Sequence, residues 1–312
     1  MSLPGSCCGT RSAMEHASPH PIMVFSVLLV WLVALPAWGD EPSAIQRGKA
    51  VLQAAGGCSC HTDDKRSGAF LAGGRPIKTP FGTVYSTNIT PAPKTGIGTW
   101  SDTDFLKAMT QGVGPDGVHY FPVFPYTSFT RMTERDVQDL QAYLFSVPPV
   151  EHANKPTELR FPFSWRAGLV VWKWLNFQPG TLQPRPDQSA EWNRGAYLAT
   201  ALGHCVQCHT PRNLLGGLRA KMAYAGSADG PEGELAPNIT PDEATGIGKW
   251  SVADIVWFLQ TGFKPNGDDT QGLMSVVIEN GFKHLPEEDL RAIAVYLRTL
   301  PPIRNKVVKK DK

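Results

Sequence analysis

The sequence predicts an all-α fold in which one helical unit occurs twice, its short helices joined by long ordered loops. Three observations predict it. Asn88-Ile89-Thr90-Pro91 returns as Asn238-Ile239-Thr240-Pro241, and Thr95-Gly96-Ile97-Gly98 with Trp100-Ser101 returns as Thr245-Gly246-Ile247-Gly248 with Trp250-Ser251; self-similarity on this scale marks a duplicated unit. Helix-start signals fall at matching places, with Ser101, Asp102 and Asp104 in one copy and Ser251 and Asp254 in the other. The 312 residues include 30 Gly and 27 Pro, which keeps helices short and demands loops.

Residues 1–20 are polar and irregular. The run from Pro21 to Trp38 is apolar and uncharged, and Ala37 and Gly39 are small residues ahead of Asp40. This reads as a signal peptide over 1–39, cleaved before Asp40. An N-terminal anchor is the alternative, because the run over 21–38 is close to spanning length. Either reading exports the body, to the periplasm of a Gram-negative bacterium and, in the second, to its inner membrane. After residue 40, Leu169 to Phe177 is the most apolar stretch, too short to span and interrupted by Lys173.

The first copy runs over 41–150 and the second over 187–303. Ala44 to His61 reads as one amphipathic helix. Arg47-Gly48-Lys49-Ala50-Val51-Leu52 has its twin in Arg194-Gly195-Ala196-Tyr197-Leu198-Ala199. The last helix of each copy starts at Thr133 and near Pro286, and ends toward Pro148-Pro149 and Pro301-Pro302. Between the copies, 151–186 is rich in Pro and aromatics; it is either a strap buried against the two units or an exposed apolar patch for a partner or a membrane. Residues 304–312 form a basic tail. A net charge of +2 gives no reason to expect nucleic acid.

The chemistry is carried by cysteine. Cys205-Val206-Gln207-Cys208-His209 places two thiols three residues apart with a histidine directly after. That is the attachment signature of c-type haem, in which each thiol adds to a vinyl group and the histidine becomes the proximal iron ligand. A redox dithiol and half of a zinc site are the rivals; His209 and a second copy upstream favour haem. The other pair is Cys58-Ser59-Cys60-His61, one residue shorter. Cys60 and His61 keep the spacing that sets a histidine under the ring, while Cys58 is drawn one residue closer. Two thioethers, one through Cys60, and no stable haem are the three outcomes open to this site. Covalent attachment is favoured, because the rest of the unit is intact and would otherwise hold an empty core.

The order helix, haem motif, long loop, helix, loop, C-terminal helix is that of class I cytochrome c. The whole body resembles the di-haem class I cytochromes c of bacteria. It is especially similar to the cytochrome c subunits of periplasm-facing alcohol, aldehyde and gluconate dehydrogenases. The residues carrying this are Asn88 to Trp100, Asn238 to Trp250, Pro122 to Tyr126 and Gly203 to Asn213. The resemblance implies two tandem cytochrome c domains, two covalently bound haem c groups and electron transfer. It also implies a periplasmic or membrane-bound dehydrogenase as donor and an oxidase, a quinone or another cytochrome as acceptor. Those subunits typically carry three such domains; this chain shows two and no C-terminal anchoring helix.

In class I cytochromes a methionine before the last helix completes the iron coordination. Met274 stands there in the second copy. In the first, the loop His119 to Tyr126 has no methionine, and that family often has one where Phe124 stands. Met132 is the candidate, with a core role as its rival because it aligns with Leu285. His119 is a weaker candidate, and Met109 reads as core. An iron left without such a ligand would be five-coordinate and open to small molecules.

The expected function is a periplasmic di-haem electron carrier with no catalytic residues of its own. A di-haem enzyme, a peroxidase or a thiosulfate dehydrogenase, is the alternative. The latter is associated with a distal cysteine, and the exported body has none beyond the two pairs.

Overall fold

The computed structural model describes residues 41–309. The expected signal or anchor over 1–39 lies outside the described residues. Residues 42–309 form one compact unit. Its helices are α1 (Ala44–Ala54), α2 (Asp102–Gln111), α3 (Tyr126–Phe129), α4 (Glu134–Ser146), α5 (Gly168–Asn176), α6 (Ala190–Tyr197), α7 (Cys205–Cys208), α8 (Val252–Thr261), α9 (Leu273–Asn280) and α10 (Glu287–Arg298).

The same packing occurs twice. α1 crosses α4, and α6 crosses α10. At the first crossing a Cβ on Gly48 would come 1.8 Å from the carbonyl oxygen of Asp139; at the second, Gly195 meets that of Ala292 at 1.8 Å. Only glycine lets these backbones approach so closely. The neighbouring arginines clamp the crossings. Arg47 donates to both Asp139 oxygens at 2.7 Å. Arg194 does the same to Asp289 at 2.7 Å. Such forked, charge-assisted pairs fix orientation as well as distance.

The repeated Asn-Ile-Thr-Pro strings are knots. Asn88 donates through Nδ2 to Thr95 Oγ1 (3.1 Å) and to the carbonyl of Val150 (2.7 Å), and its Oδ1 accepts from Thr90 N (2.9 Å). Asn238 repeats this with Thr245 (3.0 Å), Ile303 (2.7 Å) and Thr240 (2.9 Å). Each knot ties the chain after a last helix back to the loop before the middle one. Ser101 and Ser251 cap α2 and α8 in full capping boxes with Asp104 and Asp254, as their spacing predicts.

Two expectations need correction. The fold is not purely α: β1 (Pro76–Thr79), β2 (Gly82–Tyr85) and β3 (Glu158–Leu159) make a small antiparallel sheet in the order β1-β2-β3. A Cβ on Gly82 would lie 2.2 Å from the carbonyl oxygen of Glu158, so glycine admits the third strand. The helix expected over Ala44 to His61 ends at Ala54, because Gly56 and Gly57 take φ of 72° and 70°. The segment 151–186 combines both readings. On α5, Leu169 and Lys173 face inward, while Val170, Val171, Leu175 and the 82 % exposed Trp174 face out. Lys173 Nζ donates to the carbonyls of Gln111 and Gly112 at 2.7 and 2.9 Å, closing the C-terminal end of α2.

The tail is also less free than its composition suggests. Asn305 donates from its backbone N–H to Thr245 Oγ1 (2.9 Å) and from Nδ2 to the carbonyl of Ala225 (2.8 Å).

Candidate functional site

The two cysteine motifs are built differently. In the second, the thiols of Cys205 and Cys208 sit at the ends of the single turn α7, and left-handed His204 (φ 37°) precedes it. In the first, the cysteines lie in a kinked 3-10 turn, Gly56–His61, instead of an α-helical one. Gly56, Gly57 and Cys58 all take positive φ, with Cys58 at 49°. Left-handed backbone at a non-glycine residue is uncommon and costs energy. Here it lets the shorter motif deliver Cys58, Cys60 and His61 to one cavity wall.

That cavity has a volume of about 1750 Å³. Its walls are largely apolar, with Trp100, Phe105, Leu140 and Leu144 on the side of the first motif. His204 and Cys208 of the second motif open onto the same space. Cys205, His209 and Met274 are not part of its lining. Burial pushes the thiols up: Cys58 and Cys205 to about 12, Cys208 to about 11, and Cys60 in the same direction. Among the described residues no group of three or more His, Cys, Asp and Glu converges as a zinc centre would require.

The two histidines share one arrangement. His61 Nδ1 lies 2.7 Å from the carbonyl of Thr87, and His209 Nδ1 lies 2.7 Å from that of Pro237. A carbonyl only accepts, so each Nδ1 carries the proton and each Nε2 presents a lone pair. Burial lowers both pKa values, which keeps the rings neutral. This is how metal-binding imidazoles are oriented by the groups behind them. Paired thiols, an oriented imidazole and an apolar cleft fit a covalently attached porphyrin.

Met132 is 2 % exposed and lines the cavity with Met109, so the first candidate ligand is both core and cavity wall. Met274 is the second residue of α9, half-buried against the core. His119 is engaged elsewhere: Lys173 Nζ lies 2.8 Å from its Nδ1.

Sequence reasoning missed how the copies exchange contacts here. Gln207, inside the second motif, donates to Thr127 and Ser128 of α3 at 2.9 and 2.8 Å. Phe129 meets the His204 ring edge-on, with centroids 5.4 Å apart. Arg75, 8 % exposed, pairs with Glu232 at 2.8 Å and also reaches the carbonyl of Ser59 at 3.4 Å. None of these residues belongs to a local motif that announces its partner, since the pairings between copies join residues far apart in the chain.

No family model matches the chain. It is 42% identical to a diheme cytochrome c-type protein of Cereibacter sphaeroides, across 82% of this chain and 86% of that one. It is 40% identical to the fructose dehydrogenase cytochrome subunit of Gluconobacter japonicus, across 85% of this chain and 54% of the relative. It is 44% identical to a subunit of nicotinate dehydrogenase from Pseudomonas putida, across 86% of this chain but only 22% of that longer protein. The chain therefore belongs to the family of di-haem c-type cytochromes, alongside the cytochrome subunits of such dehydrogenases.

Proposed function

We propose that the chain is a two-haem electron carrier of the periplasm, free or held at the inner membrane. In this reading it takes electrons from a dehydrogenase and passes them to an oxidase, a quinone or another cytochrome. It is organised as two tandem cytochrome c domains, 41–150 and 187–303. The observation that carries this is the twofold occurrence of a thiol pair followed by a histidine whose Nδ1 is spent on a backbone carbonyl.

Haem c, when bound, supplies an iron that exchanges one electron at a time. Cys58 and Cys60 would anchor the first group and Cys205 and Cys208 the second. His61 and His209 would each offer an imidazole nitrogen to the iron. Met132 and Met274 would offer soft thioethers, which favour reduced iron. Apolar walls keep water away, so little solvent rearranges when charge changes.

The test is a potentiometric titration of the haem-loaded protein, followed by absorbance. Two reversible one-electron steps per chain are expected, with negligible turnover of peroxide or thiosulfate by the protein alone. Substantial unaided turnover of either would overturn the carrier reading.

A further inference from the structure

The segment 227–236 closes on itself beside the second cysteine motif. Ser227 and Ala236 exchange backbone hydrogen bonds of 2.8 and 2.9 Å, and Gly230 N donates to the carbonyl of Glu234 at 2.8 Å. Two carboxylates leave this closed loop for different destinations. Glu232, itself left-handed at φ 58°, pairs with buried Arg75 and so pins the loop to the first copy. Glu234 Oε2 accepts the backbone N–H of Leu273 at 2.7 Å, across 39 residues.

Leu273 is the first residue of α9 and Met274 the second. The preceding residue, Gly272, has no side chain with which to cap the helix. A Cβ on Gly272 would lie 2.3 Å from Glu234 Oε2, so glycine is what allows the carboxylate in. Glu234 is thus the external cap of α9.

α9 is only 8 residues long. Helices this short are marginal on their own, and their first turn frays most readily when its N–H groups lack acceptors. A ligand on the second residue sits in that vulnerable turn. We propose that Glu234 is a positioning residue for Met274, latching the first turn of α9 to the closed loop 227–236 so that the thioether is kept available to the second haem. This rests on Met274 as sixth ligand of the second haem.

The experiment uses the full-length, haem-loaded protein. Proton NMR of the reduced form shows a strongly upfield methyl for each iron-bound methionine, and Met274→Leu identifies the one that belongs to the second haem. Glu234→Ala is expected to weaken or abolish that signal and to raise the carbon monoxide affinity of the second iron about tenfold, in line with the loss of a helix-terminal acceptor. Glu234→Gln keeps an oxygen in place and is expected to retain the signal. Glu234→Asp keeps the charge but withdraws it by one methylene, and is expected to behave like alanine; it also serves if the alanine variant folds poorly. An unchanged methyl signal and unchanged carbon monoxide binding in Glu234→Ala and Glu234→Asp would overturn the proposal. An upfield methyl pattern left wholly unchanged by Met274→Leu would instead remove the ligand assignment on which it rests.

Discussion

Asn280 donates through Nδ2 to the hydroxyl of Ser59, 221 residues earlier, at 3.2 Å. Ser59 lies between the two cysteines of the first motif, and Asn280 ends a helix of the second copy. The exchange is reciprocal, since Gln207 lies between the cysteines of the second motif and donates to Ser128 of the first copy at 2.8 Å. Each cysteine motif is therefore braced by the α-helix that precedes the last helix of the opposite copy.

This bracing has a measurable share of stability. Asn280→Ala is expected to destabilise the protein by about 1 kcal/mol, the usual worth of one side-chain hydrogen bond. Gln207→Ala should cost more, about 2 kcal/mol, because two hydroxyls lose their donor and Arg212 loses a side-chain acceptor. Chemical denaturation of the haem-loaded protein measures both. Equal, negligible effects would mean the copies are not held together here.

The helix crossings set a steeper cost. Gly48→Ala and Gly195→Ala force a methyl into a carbonyl oxygen and should each destabilise by about 2–4 kcal/mol. Gly117, with a φ of 75° and nothing within 4 Å of the place a methyl would take, is the control. Gly117→Ala should cost about 1 kcal/mol from backbone strain alone. Thermal melts rank the three.

Acid sensitivity should trace in part to His204. Burial lowers its pKa from 6.5 to about 4, so the folded chain holds the ring neutral while the unfolded chain protonates it. Unfolded protein then binds more protons between roughly pH 6.5 and 4, and stability falls as pH drops through that window. His204→Leu is expected to flatten the decline by on the order of 1–3 kcal/mol between roughly pH 7 and 4. Melting curves at the two pH values check this; parallel losses in both proteins would assign the sensitivity to other groups.

Attachment at the shortened motif is expected to depend on the left-handed turn. With Cys58 and Cys60 opening onto one cavity, both are expected to form thioethers. Cys58→Ser should keep the haem through Cys60 alone and move the haemochrome band to the position of a singly attached group. Gly57→Val should lower occupancy of the first site, because a Cβ there would lie 2.4 Å from the carbonyl oxygen of Asn280. The second site should be untouched in both.

What is legible in the sequence is what local chemistry writes there. Ser101 with Asp104 and Ser251 with Asp254 are capping boxes that act within one turn, and their spacing alone places α2 and α8. The twin Asn-Ile-Thr-Pro strings mark the repeat because the same knot is tied twice. The sheet escapes notice because β3 joins β2 through pairs distant in the chain, Gly82 with Leu159 and Thr83 with Glu158, and a two-residue strand leaves no alternating pattern. The break after Ala54 is hidden because apolar periodicity runs up to it, and the Gly56-Gly57 pair that ends the helix reads as part of the motif. At the site, the cysteines and histidines are legible from spacing. Thr87 and Pro237, which orient the rings, offer only backbone carbonyls and so leave no trace in side-chain identity.

The most direct measurement is the intact mass of the protein produced with a native c-type haem-attachment system, read beside its pyridine haemochrome spectrum. The expected result is a polypeptide carrying two covalent haems, one at Cys58/Cys60 and one at Cys205/Cys208. A mature chain with a single haem, or with none, would contradict the two-haem carrier.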